Sequence, residues 1–253
     1  MTRDRIAVFA DGHLVRDDPG RIDILVRTLA MLATRAEAIY VLGDLFEVWL
    51  GLRRLDPGTQ RVADAFREIR SQGIRTVYVE GNRDFRIGRG GTAGMFDVVE
   101  PRALTERYGS QVYHFSHGDL VNPADRPYRL WRAFAKGALA PLALGILTDR
   151  AAQSLASSLE HRLRPTNRRH KSYFPRQACE AYARRAIAAG SDVVVVGHFH
   201  RYEVIEVDAG NRHGRFVSLP FWHDEPAPLL FDGEGNMELI TPQGAVAAVT
   251  APS

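Results

Sequence analysis

The 253-residue sequence contains one cysteine, Cys179, only two lysines, Lys136 and Lys171, and no long uninterrupted apolar run. A single cysteine cannot form an intrachain disulfide, which excludes the class of small exported proteins held together by disulfides. No segment reaches the roughly 18 apolar residues that a membrane-spanning helix requires. The nearest one, residues 133–147, is interrupted by charged and helix-breaking residues. The first residues lead directly into a strand pattern, so we expect no signal peptide and a cytoplasmic protein.

Because lysine is scarce, nearly all of the positive charge comes from arginine, and the net charge is only +3. Arginine binds phosphate groups in a bidentate manner, but an arginine bias also follows from the base composition of a genome. The charge therefore gives weak support to an anionic substrate or a membrane surface as a partner, and weaker support still to nucleic acid. We expect no nucleic acid partner and no obligate protein partner.

Apolar periodicity predicts an α/β fold. Short buried strands alternate with amphipathic helices in the first half of the chain, which predicts a mostly parallel sheet with right-handed crossovers. The predicted strands are residues 5–10, 38–42, 76–79, 111–116 and 193–196, and the first two predicted helices contain residues 22–33 and 62–69. Four short segments between residues 203 and 240, separated by turn residues, predict antiparallel hairpins. We expect one domain over residues 1–253, a helical insertion over residues 120–175 and a frayed tail over residues 244–253.

Each predicted strand up to residue 196 is followed by a side chain that can bind a metal ion. The segments are Asp11-Gly12-His13, Gly43-Asp44, Gly81-Asn82, His117-Gly118-Asp119 and Gly197-His198-Phe199-His200. Such residues collect at the carboxyl ends of strands in an α/β sheet, where their glycine neighbours let the backbone turn. Taken singly, each segment is more often a turn or a structural histidine. Together the five segments predict a site for two divalent ions, because such a pair needs nitrogen and oxygen ligands and an anionic bridge.

This ordered series resembles the calcineurin-like metallophosphoesterase superfamily over nearly the whole chain. The resemblance implies an α/β sandwich of two mixed β-sheets flanked by helices, with the site at one end. It also implies the ligand sets: Asp11, His13 and His200 for one ion, Asn82, His117 and His198 for the other, and Asp44 as the bridge between them. We expect the two divalent ions to be Mn²⁺.

Longer motifs make the chain similar to the UDP-2,3-diacylglucosamine hydrolases of this superfamily. These motifs are residues 43–49, residues 81–85, His117-Gly118-Asp119, the helical insertion and Trp222-His223. Such enzymes cleave the pyrophosphate of UDP-2,3-diacylglucosamine in lipid A synthesis and release UMP and 2,3-diacylglucosamine 1-phosphate (lipid X). The resemblance implies that the insertion contacts this substrate through Asp125, Tyr128, Asn167, His170 and Lys171. The chain departs from the family pattern at Gly12, residues 50–54, Leu163, His170 and Phe199, and none of these departures removes a metal ligand.

Arg83 stands where many phosphoesterases of the superfamily carry a histidine. Arginine cannot protonate a departing alkoxide, but it can hold phosphate oxygens with two hydrogen bonds. We therefore expect a P–O–P substrate, a metal-bridging hydroxide that attacks the α-phosphorus in line, and stabilisation of the non-bridging oxygens by Arg83 and His198. The predicted catalytic residues are Asp44, Asn82, Arg83 and His198, and the last three are also predicted to bind the substrate. The competing interpretation is that Arg83 only pairs with an acidic residue such as Asp84.

Three further questions stay open in the sequence. Asp84 and Asp119 are candidates for orienting the ligand imidazoles, although a turn or salt-bridge role fits Asp84 equally well. Apolar residues between positions 130 and 147 either line an acyl-chain chamber or touch the inner membrane surface, or else form ordinary helix packing. The alternative functions are another activity of the superfamily (nucleotide pyrophosphatase, cyclic-nucleotide phosphodiesterase or phosphoprotein phosphatase) and a non-catalytic scaffold of the same fold.

Overall fold

The computed structural model describes residues 4–15, 18–123, 126–137, 148, 150–151, 154–155, 158, 174–222, 227–241 and 246–248. Most of the predicted insertion lies outside these residues, and so do the predicted substrate contacts Asp125, Asn167, His170 and Lys171. Tyr128 belongs to a described helix, but its side chain also lies outside the described part.

Strands and helices alternate through the first half of the chain, and strands dominate after residue 190. The strands are β1 Arg5–Phe9, β2 Ala38–Val41, β3 Arg75–Val79, β4 Val98–Glu100, β5 Ala103–Tyr108, β6 Gln111–Ser116, β7 Val193–Val196, β8 Glu203–Asp208, β9 His213–Ser218, β10 Leu229–Asp232, β11 Met237–Ile240 and β12 Val246–Ala248. The helices are α1 Pro19–Leu32, α2 Pro57–Ser71, α3 Arg126–Ala135 and α4 Arg176–Ala188, with a 3₁₀ turn at Gly90–Thr92. None of these described helices has both the length and the apolar character that a bilayer crossing requires.

Local chemistry explains where the first two helices begin. Asp18 precedes α1, and its Oδ1 accepts a hydrogen bond from the backbone N of Arg21 at 3.1 Å. Asp56 precedes α2 in the same way, and its Oδ1 accepts from the backbone N of Thr59 at 3.0 Å. In both helices a proline occupies the first turn, where its missing N–H costs no hydrogen bond.

Two mixed sheets form the body of the molecule, which confirms the predicted fold class. The first sheet has seven strands in the order β12-β11-β10-β1-β2-β3-β4, and the second has five in the order β5-β6-β7-β9-β8. Strands β1, β2 and β3 run parallel to one another, as the alternation of strands and helices predicted, and β4 pairs parallel with β3. The predicted hairpins are confirmed as the antiparallel pairs β8–β9 and β10–β11.

The two sheets pack face to face on an apolar layer. Val8 and Val77 of the first sheet and Phe115 and Val195 of the second belong to one buried cluster. Helices α1 and α2 contribute to a second cluster on the other face of the first sheet, and α4 packs against the second sheet through a third cluster. Each fully buried side chain of this size stabilises the fold by about 1.5–3 kcal/mol. The packing therefore gives the strand ends that carry the candidate ligands a rigid base.

Three short strands were not predicted. Strands β4 and β5 lie between β3 and β6, and no predicted ligand follows either of them, so the expectation that every strand before residue 196 leads into a ligand was wrong for these two. Strand β12 lies inside the predicted frayed tail and pairs antiparallel with β11, so that expectation was wrong for Val246–Ala248. β4 and β12 are three-residue strands at the two edges of the first sheet, too short to show a period.

Candidate metal centre

The seven predicted ligands follow the carboxyl ends of five strands. Asp11 and His13 follow β1, Asp44 follows β2, Asn82 follows β3, His117 follows β6, and His198 and His200 follow β7. Because parallel strands of one sheet end on the same side, each sheet brings its own ligands together. The contacts below show that the ends of both sheets meet at one place. We call Asp11, His13 and His200 the first half-site, and Asn82, His117 and His198 the second half-site, with Asp44 between them.

The backbone is strained at most of these residues. Six non-glycine residues in the described part of the chain have positive φ, and five of them are predicted ligands. These five are Asp11 (55°), His13 (41°), Asp44 (51°), His198 (70°) and His200 (54°). The left-handed region is unfavourable for residues with a Cβ, and such strain gathers where the fold must hold a side chain in a special direction.

Glycine is required beside the ligands because the backbones approach very closely. A Cβ on Gly81 would lie 2.1 Å from Oδ1 of Asp44. Gly43 has a φ of +84°, and a Cβ there would lie 2.5 Å from the backbone N of Gly81. The loops after β2 and β3 can therefore pack against each other only with glycine at both positions.

The first half-site brings one carboxylate oxygen and two imidazoles together. Nε2 of His13 and Nε2 of His200 lie 3.7 Å and 3.4 Å from Oδ1 of Asp11, and 3.3 Å from each other. Asp11 is fully buried, and its Oδ1 has no hydrogen-bond partner among the described residues. A buried carboxylate oxygen without a partner is costly. The donor set of nitrogen and oxygen fits a divalent transition ion placed between these three atoms.

Glu47 supports the first half-site and was named in the sequence only as part of a motif. Its Oε2 lies 3.2 Å from Nδ1 of His13, and its Oε1 accepts a hydrogen bond from Nη1 of Arg83 at 2.5 Å. A carboxylate on Nδ1 leaves Nε2 of the same ring free to bind a metal and holds the ring in position. The ring of His200 is held differently, by stacking on Phe221 with ring centroids 4.1 Å apart.

The second half-site is centred on His117, which is fully buried. Its Nδ1 donates to the carbonyl of Leu42 at 2.7 Å, so Nε2 faces the site. That Nε2 lies 3.0 Å from Oδ1 of Asn82 and 3.5 Å from Oδ2 of Asp44. The ring of His198 meets the ring of His117 edge to face, with centroids 5.1 Å apart. Oxygen atoms of Asn82 and Asp44 thus lie within 3.5 Å of Nε2 of His117, and the ring of His198 lies beside the same imidazole.

Asp11 connects the two halves. Its carboxylate belongs to two sets of residues that could each hold a metal ion, one with His13 and His200 and the other with Asp44 and His117. Within each set the ligand atoms lie within 4.8 Å of one another. Its Oδ2 also accepts a hydrogen bond from the backbone N of His198 at 2.7 Å. The bridging role of Asp44 stays a prediction, as does the assignment of each ligand to an ion.

Charges inside the site raise the pKa of two histidines and lower the pKa of Asp11, so the histidines are more easily protonated and the carboxylate stays ionised. Burial alone would lower the pKa of His13, but the neighbouring carboxylates of Asp11 and Glu47 raise it to about 9. Burial also opposes a rise at His117, where Asp44 and Asp11 nevertheless raise the pKa. At Asp11, burial would raise the pKa, but His200 and His13 bring it well below its ordinary value. The carboxylates thus create a negative potential that divalent ions would neutralise.

Asp84 organises the loops rather than the imidazoles. Its Oδ2 accepts hydrogen bonds from the backbone N of Asp44 at 2.9 Å, the backbone N of Gly81 at 2.8 Å and the hydroxyl of Tyr78 at 2.7 Å. Burial and the neighbouring carboxylate of Asp44 raise the pKa of Asp84 to about 6. The described contacts of Asp84 therefore fit the structural role in a turn, which was one of the two alternatives that the sequence allowed.

Arg83 is buried beside these loops. Besides its hydrogen bond to Glu47, its Nε lies 3.6 Å from Oδ2 of Asp44. The pairing with an acidic residue, which the sequence offered as the competing interpretation, is therefore present, with Glu47 as the partner. Its backbone N donates to Oδ1 of Asp44 at 2.9 Å, so the loop of Arg83 and the predicted bridge are fixed to each other. The role of Arg83 in binding phosphate stays a prediction.

Comparisons with known proteins give the family. No family model matches the chain. The UDP-2,3-diacylglucosamine hydrolase of Ectopseudomonas mendocina is 31% identical over 232 residues, which cover 91% of this chain and 95% of the relative. The chain belongs to the UDP-2,3-diacylglucosamine hydrolase family. A second family member, from Stenotrophomonas maltophilia, is 29% identical over 239 residues, which cover 89% of this chain and 94% of that one.

Two solved structures show weak similarity to the chain. A Vps29 variant from Entamoeba histolytica has a TM-score of 0.48 and 13% identity, with 96% of each chain covered. An archaeal phosphodiesterase has a TM-score of 0.48 and 12% identity, with 94% of this chain and 99% of that chain covered. The family predicted from the motifs is thus confirmed by the similarity over the full sequences of the curated relatives.

Proposed function

We propose that this chain hydrolyses the pyrophosphate bond of UDP-2,3-diacylglucosamine to UMP and 2,3-diacylglucosamine 1-phosphate. One observation carries the proposal. The imidazoles of His13 and His200 converge on Oδ1 of Asp11, a buried carboxylate oxygen that has no hydrogen-bond partner among the described residues. The substrate is inferred from the family, because the chain aligns with more than nine tenths of the length of relatives that are named UDP-2,3-diacylglucosamine hydrolase. A non-catalytic scaffold is not favoured, because all seven predicted ligand residues are present.

Two divalent ions, which we propose to be Mn²⁺, would be held by the first half-site, the second half-site and Asp44. When bound, such ions lower the pKa of a water molecule and neutralise the negative charge that grows on the phosphate oxygens. The donor set of imidazoles, carboxylates and one amide suits Mn²⁺, which accepts both nitrogen and oxygen ligands.

The protein groups around the ions position the substrate. Arg83 would hold the non-bridging oxygens of the pyrophosphate, with Glu47 and the loop contacts of Asp44 fixing its guanidinium. His198, whose ring lies next to that of His117, would bind the same phosphate. Neither residue has to protonate the leaving group, because a phosphate monoester leaves readily as an anion. Asp44, Asn82, Arg83 and His198 are accordingly the residues on which turnover should depend.

The lipid part of the substrate would be bound by the insertion. We propose that residues 1–253 form one domain in which residues 120–175 lie over the site, with Asp125, Tyr128, Asn167, His170 and Lys171 as substrate contacts. Leu130 of α3 is 73% exposed and is therefore accessible to the acyl chains in this arrangement. The proposed location is the cytoplasm, with peripheral attachment to the inner face of the membrane that holds the substrate.

Turnover of a substrate panel tests the proposal. The protein with Mn²⁺ is given UDP-2,3-diacylglucosamine, ATP, a cyclic nucleotide, p-nitrophenyl phosphate and a phosphopeptide, and the products are identified by mass spectrometry. We expect the lipid substrate to have the highest kcat/KM and to yield UMP, with no turnover after chelation. Preferred turnover of a plain nucleotide without release of 2,3-diacylglucosamine 1-phosphate would instead assign a nucleotide pyrophosphatase.

A further inference from the structure

Two cationic side chains at the end of helix α3, the first element of the insertion, contact the loops that carry Asn82 and His117. Arg132 lies in its last turn, and Lys136 follows directly, with its backbone N donating to the carbonyl of Arg132 at 2.8 Å. Residues four apart project from the same face of a helix. This face therefore presents two positive charges one turn apart, in a chain that has only two lysines.

Lys136 contacts the loop of Asn82 on both sides of that residue. Its Nζ donates to Oε2 of Glu80 at 2.9 Å and to the backbone carbonyl of Asp84. Its Nζ also lies 5.1 Å from the ring centroid of Phe85. The ammonium group is a compact charge with three donors, which suits a position between a carboxylate and a carbonyl. The side chains of Lys136 and Glu80 are each 13% exposed, so water weakens this ion pair little.

Arg132 contacts the loop of His117 in the same way. Its Nε donates to Oδ2 of Asp119, two residues after the candidate ligand, and its Nη2 lies 3.4 Å from the carbonyl of Pro101. Both partners of the ion pair are buried, with 5% and 3% of their side chains exposed. Removal of one partner of such a pair leaves a buried charge without compensation, which is strongly unfavourable.

We propose that Lys136 and Arg132 are positioning residues that fix the two loops of the second half-site to the insertion. The loop of Asn82 is held by Lys136 and the loop of His117 by Arg132, and these two ligands lie 3.0 Å apart. No described contact joins α3 to the first half-site. The attachment of the insertion should therefore act mainly on the affinity of the ion in the second half-site. The inference rests on the ligand assignment of the proposed function, but not on the identity of the substrate.

The number of ions retained by each variant tests this inference without any substrate. The full-length protein is loaded with Mn²⁺ and dialysed against metal-free buffer, and its manganese content is measured by elemental analysis. Calorimetric titration of Mn²⁺ into stripped protein then gives both affinities. We expect the original protein to hold two ions and Lys136→Met to hold one. The affinity for the second ion should fall about tenfold, the lower end of the range for groups that contact a ligand directly, because Lys136 holds the loop and not Asn82 itself. Lys136→Arg should restore most of the loss.

The controls separate positioning from general damage. Arg126→Gln removes an exposed cation from the same helix and should retain both ions. Circular dichroism first shows whether each variant folds. If the Lys136 variant does not fold, ion binding is measured for Glu80→Gln instead, because this substitution weakens the same contact and leaves α3 intact. Two ions bound with unchanged affinities, or two affinities lowered equally, would overturn the inference. If the second ion is lost selectively but UDP-2,3-diacylglucosamine is not cleaved, the positioning role stands and the proposed function fails.

Discussion

The two halves of the candidate metal centre differ in what holds them. The first half-site is supported by groups close to the core, with Glu47 behind His13 and the ring of Phe221 against His200. The loops of Asn82 and His117 in the second half-site are tied to helix α3 through Lys136 and Arg132, and Asp84 joins the loop of Asn82 to the loop of Asp44. The first half should therefore be formed by the sandwich alone, whereas the second should depend on the insertion.

This difference suggests how binding of a large substrate could be connected with the metals. In the proposed function the insertion also binds the substrate, so the second half-site would be complete only when the insertion is correctly seated. Substitutions in one half-site distinguish this arrangement from a site in which the two ions always gain or lose affinity together.

The largest effect is expected for Asp44→Asn, because Asp44 lies between the halves and accepts a hydrogen bond from the backbone N of Arg83. Loss of the shared anionic ligand should lower kcat about a thousandfold, which corresponds to several kcal/mol of transition-state stabilisation. Kinetics with Mn²⁺ and the measured manganese content of the variant check this. Unchanged activity would support a non-catalytic scaffold, and loss of only one ion would assign Asp44 to one half.

Glu47→Gln should affect the first half-site more than the second. The substitution removes the negative charge at Nδ1 of His13, so we expect the affinity of the ion in the first half-site to fall about tenfold to a hundredfold and that of the other ion to fall less. Calorimetric titration with Mn²⁺ measures both affinities. Glu68→Gln, an exposed substitution on α2, is the matched control. Equal weakening of both ions would contradict the separation of the two halves.

Metal binding at the first half-site should also depend on pH. The pKa of His13 is raised from 6.5 to about 9 without a metal, so its proton must leave when an ion binds. Affinity should rise about tenfold per pH unit up to about 9 and then level off, since one proton is released. The protonated ring stabilises the metal-free fold fully below about pH 6.5, and this contribution is lost as the pH rises through about 9. Titrations and thermal unfolding at several pH values measure both trends, and a flat affinity would contradict them.

The smallest effect is expected for Tyr78→Phe, which removes a hydroxyl that donates to Asp84 and accepts from the backbone N of Leu45. The loss of these buried hydrogen bonds should lower the free energy of unfolding by about 1–3 kcal/mol and reduce turnover a few-fold. Tyr40→Phe is the control, because its hydroxyl donates to Glu106 away from the site. The control should lose stability without losing activity, and equal activity losses would argue against the role of Asp84 in holding the loops.

The sequence predicted the parts of the site that follow from local pattern. Buried strands followed by ligand residues could be recognised because apolar runs and glycine turns are short-range signals. Glu47 and Lys136 could not be recognised in the same way, because their partners lie far along the chain: Arg83 is 36 residues from Glu47, and Glu80 is 56 residues from Lys136. Such pairs depend on how loops pack in three dimensions. Strand β12 was missed because pairing with β11, rather than its own composition, makes it a strand.

Hydrolysis in water labelled with ¹⁸O tests the central claim most directly. The Mn²⁺-loaded protein is incubated with UDP-2,3-diacylglucosamine, and both products are analysed by mass spectrometry. Attack on the α-phosphorus predicts one ¹⁸O atom in UMP and none in 2,3-diacylglucosamine 1-phosphate. Label in the lipid product would contradict the proposed direction of attack, and the absence of both products would contradict the proposed function itself.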